Sequence, residues 1–183
     1  KTYSCDLSGS YQQENISTAL TALDLLREME WELSDSHIEE GLKQVYTSTG
    51  LMGRWQRIGA NPRSICDAAH NIAGIAAVME QVRQTPWKNL HMVWGMVNDK
   101  DVDSILPLLP EKASYYFTPS SVPRSLDAEK LRRKAARHGR EGEAYKNVEE
   151  AYHAALKNAG EEDMIFTGGS TFVVADLLEA LGY

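Results

Sequence analysis

The sequence predicts an α/β fold, in which a mostly parallel sheet carries helices on both faces. From Asp67 onward, short apolar runs alternate with segments of helical period, a pattern typical of right-handed βαβ units. The stretch over 90–94 is almost continuously apolar, as a strand buried on both faces requires. With 43% hydrophobic and 25% charged residues, the 183 residues suffice for one good globular domain and an appended piece. The expected architecture is therefore Rossmann-like.

A helical segment is predicted before the sheet, up to about Thr49. Ser10 suits the N-cap of a helix over about 11–30, because apolar residues follow there at helical spacing. The run Ser36-His37-Ile38-Glu39 has the form of a capping box and predicts a second helix. This segment is expected to be a helical pair.

The pattern changes after Gly50. Two short runs, 55–58 and 64–67, flank turn-forming residues and predict an antiparallel hairpin at the start of the sheet. The elements after it are predicted as helix 71–83, strand 90–94, helix 102–109, strand 114–118, helix 126–138, a weak strand near 143–145, helix 148–159, strand 163–167 and helix 172–181. Ile72, Ile75, Ala76 and Met79 are expected on one side of the first of these helices. Gly139 and Gly160 are predicted to end their helices in the left-handed conformation.

Composition excludes several classes of protein. A net charge of -7 argues against a nucleic-acid or anionic-membrane surface, and no apolar run is long enough to predict a membrane span. The two cysteines, Cys5 and Cys66, form neither a disulfide framework nor a zinc motif, and Cys66 is expected to be a buried free thiol. A cytoplasmic location is expected. Because the chain begins at Lys1, we expect it to be a piece of a longer protein.

Parallel sheets bind ligands beyond the carboxyl ends of their strands. That rule selects the loops 67–71, 95–101, 118–125 and 167–171, where Gly, Asp, His, Asn and Ser concentrate.

The stretch Asp67-Ala68-Ala69-His70-Asn71 lies where a strand ends and a helix begins. Two alanines let a ligand approach the backbone, and the helix start offers free N–H groups. Asp67 could accept hydrogen bonds from a ribose, while His70 and Asn71 could meet a phosphate or a reacting carboxylate. Asn71 could equally be an N-cap and His70 a satisfied polar neighbour, so both interpretations stay open.

Further motifs follow one another along the chain. They are Gln12-Gln13-Glu14-Asn15, Gly53-Arg54-Trp55-Gln56, the stretch over 67–71, Trp94-Gly95 with Asn98-Asp99-Lys100-Asp101, Pro123-Arg124-Ser125-Leu126 and Thr167-Gly168-Gly169-Ser170. In this order and spacing the chain resembles the folylpolyglutamate synthases and dihydrofolate synthases of the Mur ligase superfamily. Tyr11 stands where the family commonly has histidine, and Gly169 is an extra glycine in the last motif.

The resemblance implies site residues. Asn15, Arg54 and Asp67 would contact ATP, because an amide suits adenine, a guanidinium suits phosphate and a carboxylate suits ribose. Two further nucleotide-binding candidates are Asn71 and Lys100. The reacting centre or the glutamate pocket would include His70 and Ser170.

Structural interpretations of these residues stay open. Arg54 could form a surface ion pair, Lys100 could belong to a charge cluster at a helix entry, and Ser170 could cap the last helix. Asp67, His70 and Ser170 are not expected to be a hydrolase triad, because the serine lacks a Gly-x-Ser-x-Gly elbow. The other histidines lack metal-ligand spacing, so no metal site is predicted in this chain.

The resemblance also implies domains and an activity. Residues 1–49 would end a central ATPase domain, and residues 50–183 would form the Mur-ligase-type C-terminal domain. The enzyme would use ATP and Mg²⁺ to add L-glutamate to folate or dihydropteroate through an acyl phosphate. This chain has no Gly-x-x-x-x-Gly-Lys-Ser/Thr motif, so the N-terminal ATPase domain would supply the metal ligands and the fragment alone would be inactive. The alternatives are a Mur-type peptidoglycan-precursor ligase and a non-catalytic nucleotide-binding domain.

Overall fold

Across residues 2–183, which a computed structural model describes, strands and helices alternate after an all-helical start. The helices are α1 (Gln12–Glu28), α2 (Asp35–Lys43), α3 (Val45–Thr49), α4 (Ile72–Gln84), α5 (Val102–Ile105), α6 (Ala128–Ala136), α7 (Val148–Asn158) and α8 (Thr171–Ala180). The strands are β1 (Gln56–Gly59), β2 (Arg63–Asp67), β3 (Leu90–Trp94), β4 (Ser114–Phe117), β5 (Gly142–Ala144) and β6 (Met164–Gly168).

The strands form one sheet in the order β1-β2-β6-β3-β4-β5. Only β1 runs antiparallel to its neighbour β2; every other neighbouring pair in the described residues is parallel. The predicted α/β class, the mostly parallel sheet and the N-terminal hairpin are confirmed. The last strand, β6, is inserted between β2 and β3. The loop that follows β6 therefore lies beside the loop that follows β2.

Both faces of the sheet are covered. One apolar cluster joins Cys66, Val93, Tyr116 and Ile165 of the strands to the inner sides of α7 and α8. Successive residues of a strand point to opposite faces of the sheet, so the residues next to these four in their strands face the other side. There α6 packs on β4 and β5. Cys66 is a buried free thiol, as predicted, and burial raises its pKa to about 12.

The chain divides into two compact units, one up to Arg54 and one over Trp55–Tyr183. In the first unit, α1, α2 and α3 bury little: Ile38 is its one large apolar side chain among the buried core residues described. The second unit contains the sheet and the rest of the buried core.

The helical start differs from the predicted pair in three respects. The residue before the first turn of α1 is Tyr11, not Ser10. The capping box of α2 joins Ser34 and His37 and so lies two residues before the predicted one. The second helix also breaks at Gln44, which gives three helices.

Asp6 accounts for that break. Its backbone N–H donates to the carbonyl of Leu42 (3.3 Å), and its carboxylate accepts from the N–H of Tyr46 (2.9 Å). These two groups would bond to each other in a continuous α-helix. Asp6 therefore replaces one rung of the helical ladder, a contact that spans 40 residues.

Ile72 is 48% exposed because it lies in the first turn of α4, ahead of the buried stripe that begins at Ile75. Two expectations in the second unit are wrong. The predicted helix over 102–109 becomes a short α-helix followed by a 3-10 turn over 106–108 that contains Pro107. Gly160 is not left-handed, since α7 ends in extended backbone at Ala159; Gly139 has φ 72°, as predicted.

Candidate functional site

The carboxyl ends of four parallel strands lie side by side at one edge of the sheet. In register, Asp67 of β2 pairs with Gly168 of β6, Gly168 with Trp94 of β3, and Trp94 with Phe117 of β4. The four loops selected from the sequence therefore leave the sheet at the same level. The loops after β2 and β6 are immediate neighbours there.

Asp67 is buried, with 2% of its surface exposed. One carboxylate oxygen accepts from the N–H of Trp55 at 2.7 Å, and the other accepts from the N–H of Ala69 at 2.9 Å. Trp55 has φ 49°, a left-handed conformation that is uncommon for a bulky residue, and its ring lies 6.0 Å from that of Phe166. Asp67 thus fixes both the entry to β1 and the first turn after β2.

His70 is exposed at this edge and contacts the start of α8. Its Nδ1 lies 3.1 Å from the carbonyl of Ala68 and 3.4 Å from Oγ1 of Thr171. A carbonyl only accepts hydrogen bonds, so Nδ1 carries the proton in the bond to Ala68 and Nε2 of the neutral ring is an acceptor. Within residues 2–183 no hydrogen bond engages that Nε2.

Two other predicted residues act as helix caps. The side-chain oxygen of Asn71 accepts from the N–H of Gly74 at 2.8 Å and caps α4. Ser170 is 2% exposed, and its hydroxyl oxygen accepts from the N–H of Phe172 at 3.2 Å at the start of α8. The capping interpretations that the sequence left open are therefore present in the structure.

The turn between β6 and α8 depends on glycine. Gly169 has φ 93°, and a Cβ placed there would lie 2.5 Å from the carbonyl oxygen of Gly95 and 2.7 Å from the Trp94 ring. The extra glycine of this motif thus permits close contact between the turn after β6 and the end of β3. That contact sets where Ser170 and Thr171 begin α8.

The loop over 95–101 carries alternating charges. Asp101 caps α5, and hydrogen bonds from the hydroxyl and N–H of Ser104 (2.6 and 3.1 Å) lower the pKa of that carboxyl. Asp99 forms an ion pair with Arg124 at 3.0 Å. Lys100 is partly buried, and within the described residues its ammonium has no ion-pair partner.

The remaining candidates belong to the first unit. The amide of Asn15 donates to the side-chain oxygen of Gln12 at 2.8 Å on α1. Arg54 is partly buried and donates to the carbonyl of Gly53 at 3.2 Å. These contacts are local and leave further donors on both side chains.

Residues 2–183 contain no group of three or more His, Cys, Asp or Glu side chains that could hold a metal ion. None of the helices in this part of the chain is long and apolar enough to cross a membrane.

Residues 53–171 match the family described as Mur ligase, glutamate ligase domain. The chain belongs to this family. Among curated relatives, the dihydrofolate synthase/folylpolyglutamate synthase of Escherichia coli is 33% identical over 172 residues, which are 92% of this chain and 38% of the relative.

Solved structures of the family agree with the fold. A Mycobacterium tuberculosis folylpolyglutamate synthase complexed with ADP and AMPPCP matches with a TM-score of 0.83 at 26% identity, over 99% of this chain and 43% of that one. A bifunctional folylpolyglutamate synthase/dihydrofolate synthase with Mn, AMPPNP and L-glutamate bound matches with a TM-score of 0.75 at 31% identity, over 89% and 38%. The chain thus spans about two fifths of the length of these proteins.

Within this Mur ligase domain, sequence reasoning missed two contacts. Thr171 contacts His70, and the guanidinium carbon of Arg124 lies 5.0 Å from the centre of the Phe172 ring. Both pairs join loops that follow different strands, and only the motifs around these residues were visible in the sequence.

Proposed function

We propose that this chain is the C-terminal part of an ATP-dependent ligase that adds L-glutamate to dihydropteroate or a folate. One observation carries the proposal: His70 and Thr171, from the loops after β2 and β6, meet at 3.4 Å on the carboxyl edge of the sheet. An exposed imidazole there has one nitrogen fixed and the other free for a substrate. The names of the relatives support folate, rather than a peptidoglycan precursor, as the acceptor.

In this proposal ATP phosphorylates the folate carboxylate and leaves as ADP. The amine of glutamate then attacks the acyl phosphate, which forms the amide bond and releases inorganic phosphate. The amine must be unprotonated to attack, and the free Nε2 of His70 suits acceptance of its proton. Lys100, whose ammonium has no ion-pair partner in the described residues, would offset charge on the transferred phosphoryl group. Closure of a mobile domain would exclude water from the acyl phosphate.

The nucleotide would also meet Asn15 at adenine and Arg54 at phosphate. Asp67 holds two backbone N–H groups and is 2% exposed, so its contact with ribose would require the buried carboxylate to become accessible. We propose that Asn71 and Ser170 act chiefly by presenting the N-termini of α4 and α8, where free N–H groups favour anions.

The P-loop and the metal ligands of the proposed enzyme would lie outside the Mur ligase domain. An ATPase domain, to which residues 1–49 would belong, would provide the P-loop and the ligands for Mg²⁺, and a cytoplasmic location is expected. A solved relative with Mn and AMPPNP bound supports a divalent cation in the reaction.

The test measures ATP-dependent transfer of radiolabelled L-glutamate to dihydropteroate and to tetrahydrofolate. The complete gene product that contains this chain is expected to catalyse transfer, and the 183-residue chain alone is expected to be inactive. His70→Asn in the complete product should lower kcat at least a hundredfold, because Nε2 is lost as proton acceptor.

The matched control is His153→Asn, since His153 is exposed on α7 and 62% of its side chain is accessible. It should retain activity within about twofold. Transfer by the isolated chain, transfer only to a peptidoglycan precursor, or equal activity of the two histidine variants would contradict the proposal.

A further inference from the structure

Positive charge is concentrated on α6, in a chain that is acidic as a whole. Six of the 19 Lys and Arg residues lie within residues 130–140, a stretch without Asp or Glu, although the net charge is -7. Two of these cations are engaged in ion pairs: Arg132 pairs with Glu129 at 2.6 Å, and Lys134 pairs with Asp103 at 2.6 Å. The neighbouring acids are therefore already used.

Three other cations of this stretch, Lys130, Arg133 and Arg137, remain available and form what we call the basic face of α6. All three are exposed, and within the described residues none of their side chains forms an ion pair or a hydrogen bond. Arg137 directly follows α6 and keeps helical backbone, with φ -65° and ψ -19°. Helical residues three, four and seven positions apart share one side, and here it is opposite the buried Leu131 and Ala135.

The stability of the helix accounts for only part of this charge. Cations suit the last turn of a helix, where Arg133 lies, but the helix dipole disfavours them in the first turn, where Lys130 lies. The backbone N–H of Lys130 is held by the capping carboxylate of Asp127 at 2.8 Å, which leaves its ammonium to project from the end of α6 that is already positive. This arrangement favours an anion outside the helix.

The basic face begins at the carboxyl edge of the sheet. The N–H of Leu126 donates to the carbonyl of Met96 at 2.8 Å, which ties the segment before α6 to the loop after β3. From there α6 returns towards the amino edge, so Arg137 lies roughly 10 Å further along the helix axis than Lys130. His70 follows β2, which is separated from β4 by β6 and β3, a distance of roughly 14 Å along the edge. A glutamate unit spans roughly 4–6 Å, so only a tail of several units reaches from His70 to α6.

We infer that the basic face of α6 binds the tail of an acceptor that already carries several glutamates, an inference that rests on the proposed ligase function. Each transfer converts one carboxylate of the acceptor into an amide and brings in two carboxylates with the glutamate. The tail therefore gains one negative charge in each round and becomes a polyanion. Three free cations on one side of a helix complement it, whereas a chain of net charge -7 repels it elsewhere.

The experiment measures kcat and KM of the complete gene product with two acceptors, tetrahydrofolate that carries one glutamate and tetrahydrofolate that carries five. The test variant combines Lys130→Gln, Arg133→Gln and Arg137→Gln. An exposed ion pair contributes about twofold to affinity, so loss of three should raise the KM for the five-glutamate acceptor about eightfold. The KM for the one-glutamate acceptor and both kcat values should stay within about twofold. In the wild type, salt should raise the KM for the longer acceptor more strongly.

The matched control removes three positive charges elsewhere, at the exposed Lys88, Lys112 and Lys157, and should leave both KM values within about twofold. An equal rise for both acceptors, an equal effect of the control, or no extension of the five-glutamate acceptor by the wild type overturns this inference and leaves the ligase proposal standing. An unchanged KM for the longer acceptor does the same, and is the result expected if the basic face binds an acidic protein instead. Absence of glutamate transfer to any acceptor by the wild type overturns both.

Discussion

At the scale of single residues, two buried aspartates hold opposite edges of the sheet. Asp67 bonds backbone N–H groups at the carboxyl edge. Asp163 lies at the amino edge, where it accepts from the backbone and side chain of Asn89 at 2.9 Å and from the N–H of Gly160 at 2.8 Å. His91 lies 3.4 Å from the same carboxylate. Both carboxylates organise loops and are not exposed to solvent.

The Asp163 carboxyl makes stability depend on pH. Burial acts to raise its pKa, but hydrogen bonds from Gly160, Asn89 and His91 outweigh burial and lower the pKa below its usual value. A lowered pKa in the folded state means that the charged form stabilises the fold above the unfolded pKa of about 4. That stabilisation is lost as pH falls through the folded pKa.

Asp163→Asn is therefore expected to lower the free energy of unfolding by about 1–3 kcal/mol at pH 7. The difference from wild type should shrink when urea unfolding is repeated near pH 3. Glu161→Gln, an exposed acid in the same turn, is the control and should change stability by less than about 0.5 kcal/mol. A difference that is equal at both pH values would contradict this account.

At the scale of elements, the turn from β6 into α8 decides where the last helix starts. Gly169 combines a positive φ with close contacts to the backbone of Gly95 and the ring of Trp94. Gly139, after α6, also has a positive φ of 72°, but nothing lies within 4 Å of the position of its missing Cβ. A comparison of alanine substitutions at the two glycines therefore separates the free-energy cost of a positive φ from the cost of steric overlap.

Gly139→Ala should cost about 1 kcal/mol, the price of a left-handed residue with a side chain. Gly169→Ala should cost at least about 2 kcal/mol more, because a backbone carbonyl and a buried ring must shift. Denaturant unfolding of both variants measures the difference. Equal losses would show that the contacts to Gly95 and Trp94 relax freely.

At the scale of the whole molecule, the buried apolar residues are distributed very unevenly between the two units. The unit over 55–183 contains the sheet, both helical layers and almost the entire core, whereas the first unit buries Ile38 and exposes Leu25, Met29 and Trp31. Burial of apolar surface is the dominant favourable term in folding. Each unit should therefore behave differently when it is produced alone.

We expect residues 55–183 to fold independently and residues 2–54 to be largely unfolded. Circular dichroism and amide hydrogen exchange of the two pieces test this expectation. The larger piece should unfold cooperatively, with protected amides in β3 and β6. Cooperative unfolding of the smaller piece, or absence of protected amides in the larger one, would contradict it.

The sequence alone determined the elements, their alternation and the loops where a ligand would bind. Some features depend only on residues that are near in sequence, such as the helix and strand periods, the glycine at Gly139 and the cap at Asn71. Such features can be predicted from a short stretch of sequence. The series of motifs from 12–15 to 167–170, taken in its order and spacing, also sufficed to recognise the family. Local reading failed at Gln44, where the distant Asp6 takes over a helical hydrogen bond.

Only the tertiary structure decided which loops meet and which side chains remain available. Insertion of β6 between β2 and β3 brings Thr171 to His70 across 101 residues. The loops after β3 and β4 are joined by an isolated β-bridge, and Arg124 in the second of them contacts the ring of Phe172. The same packing turns Asp67 inward onto backbone N–H groups. Strand order and side-chain burial depend on contacts between distant segments, so no pattern confined to one segment encodes them.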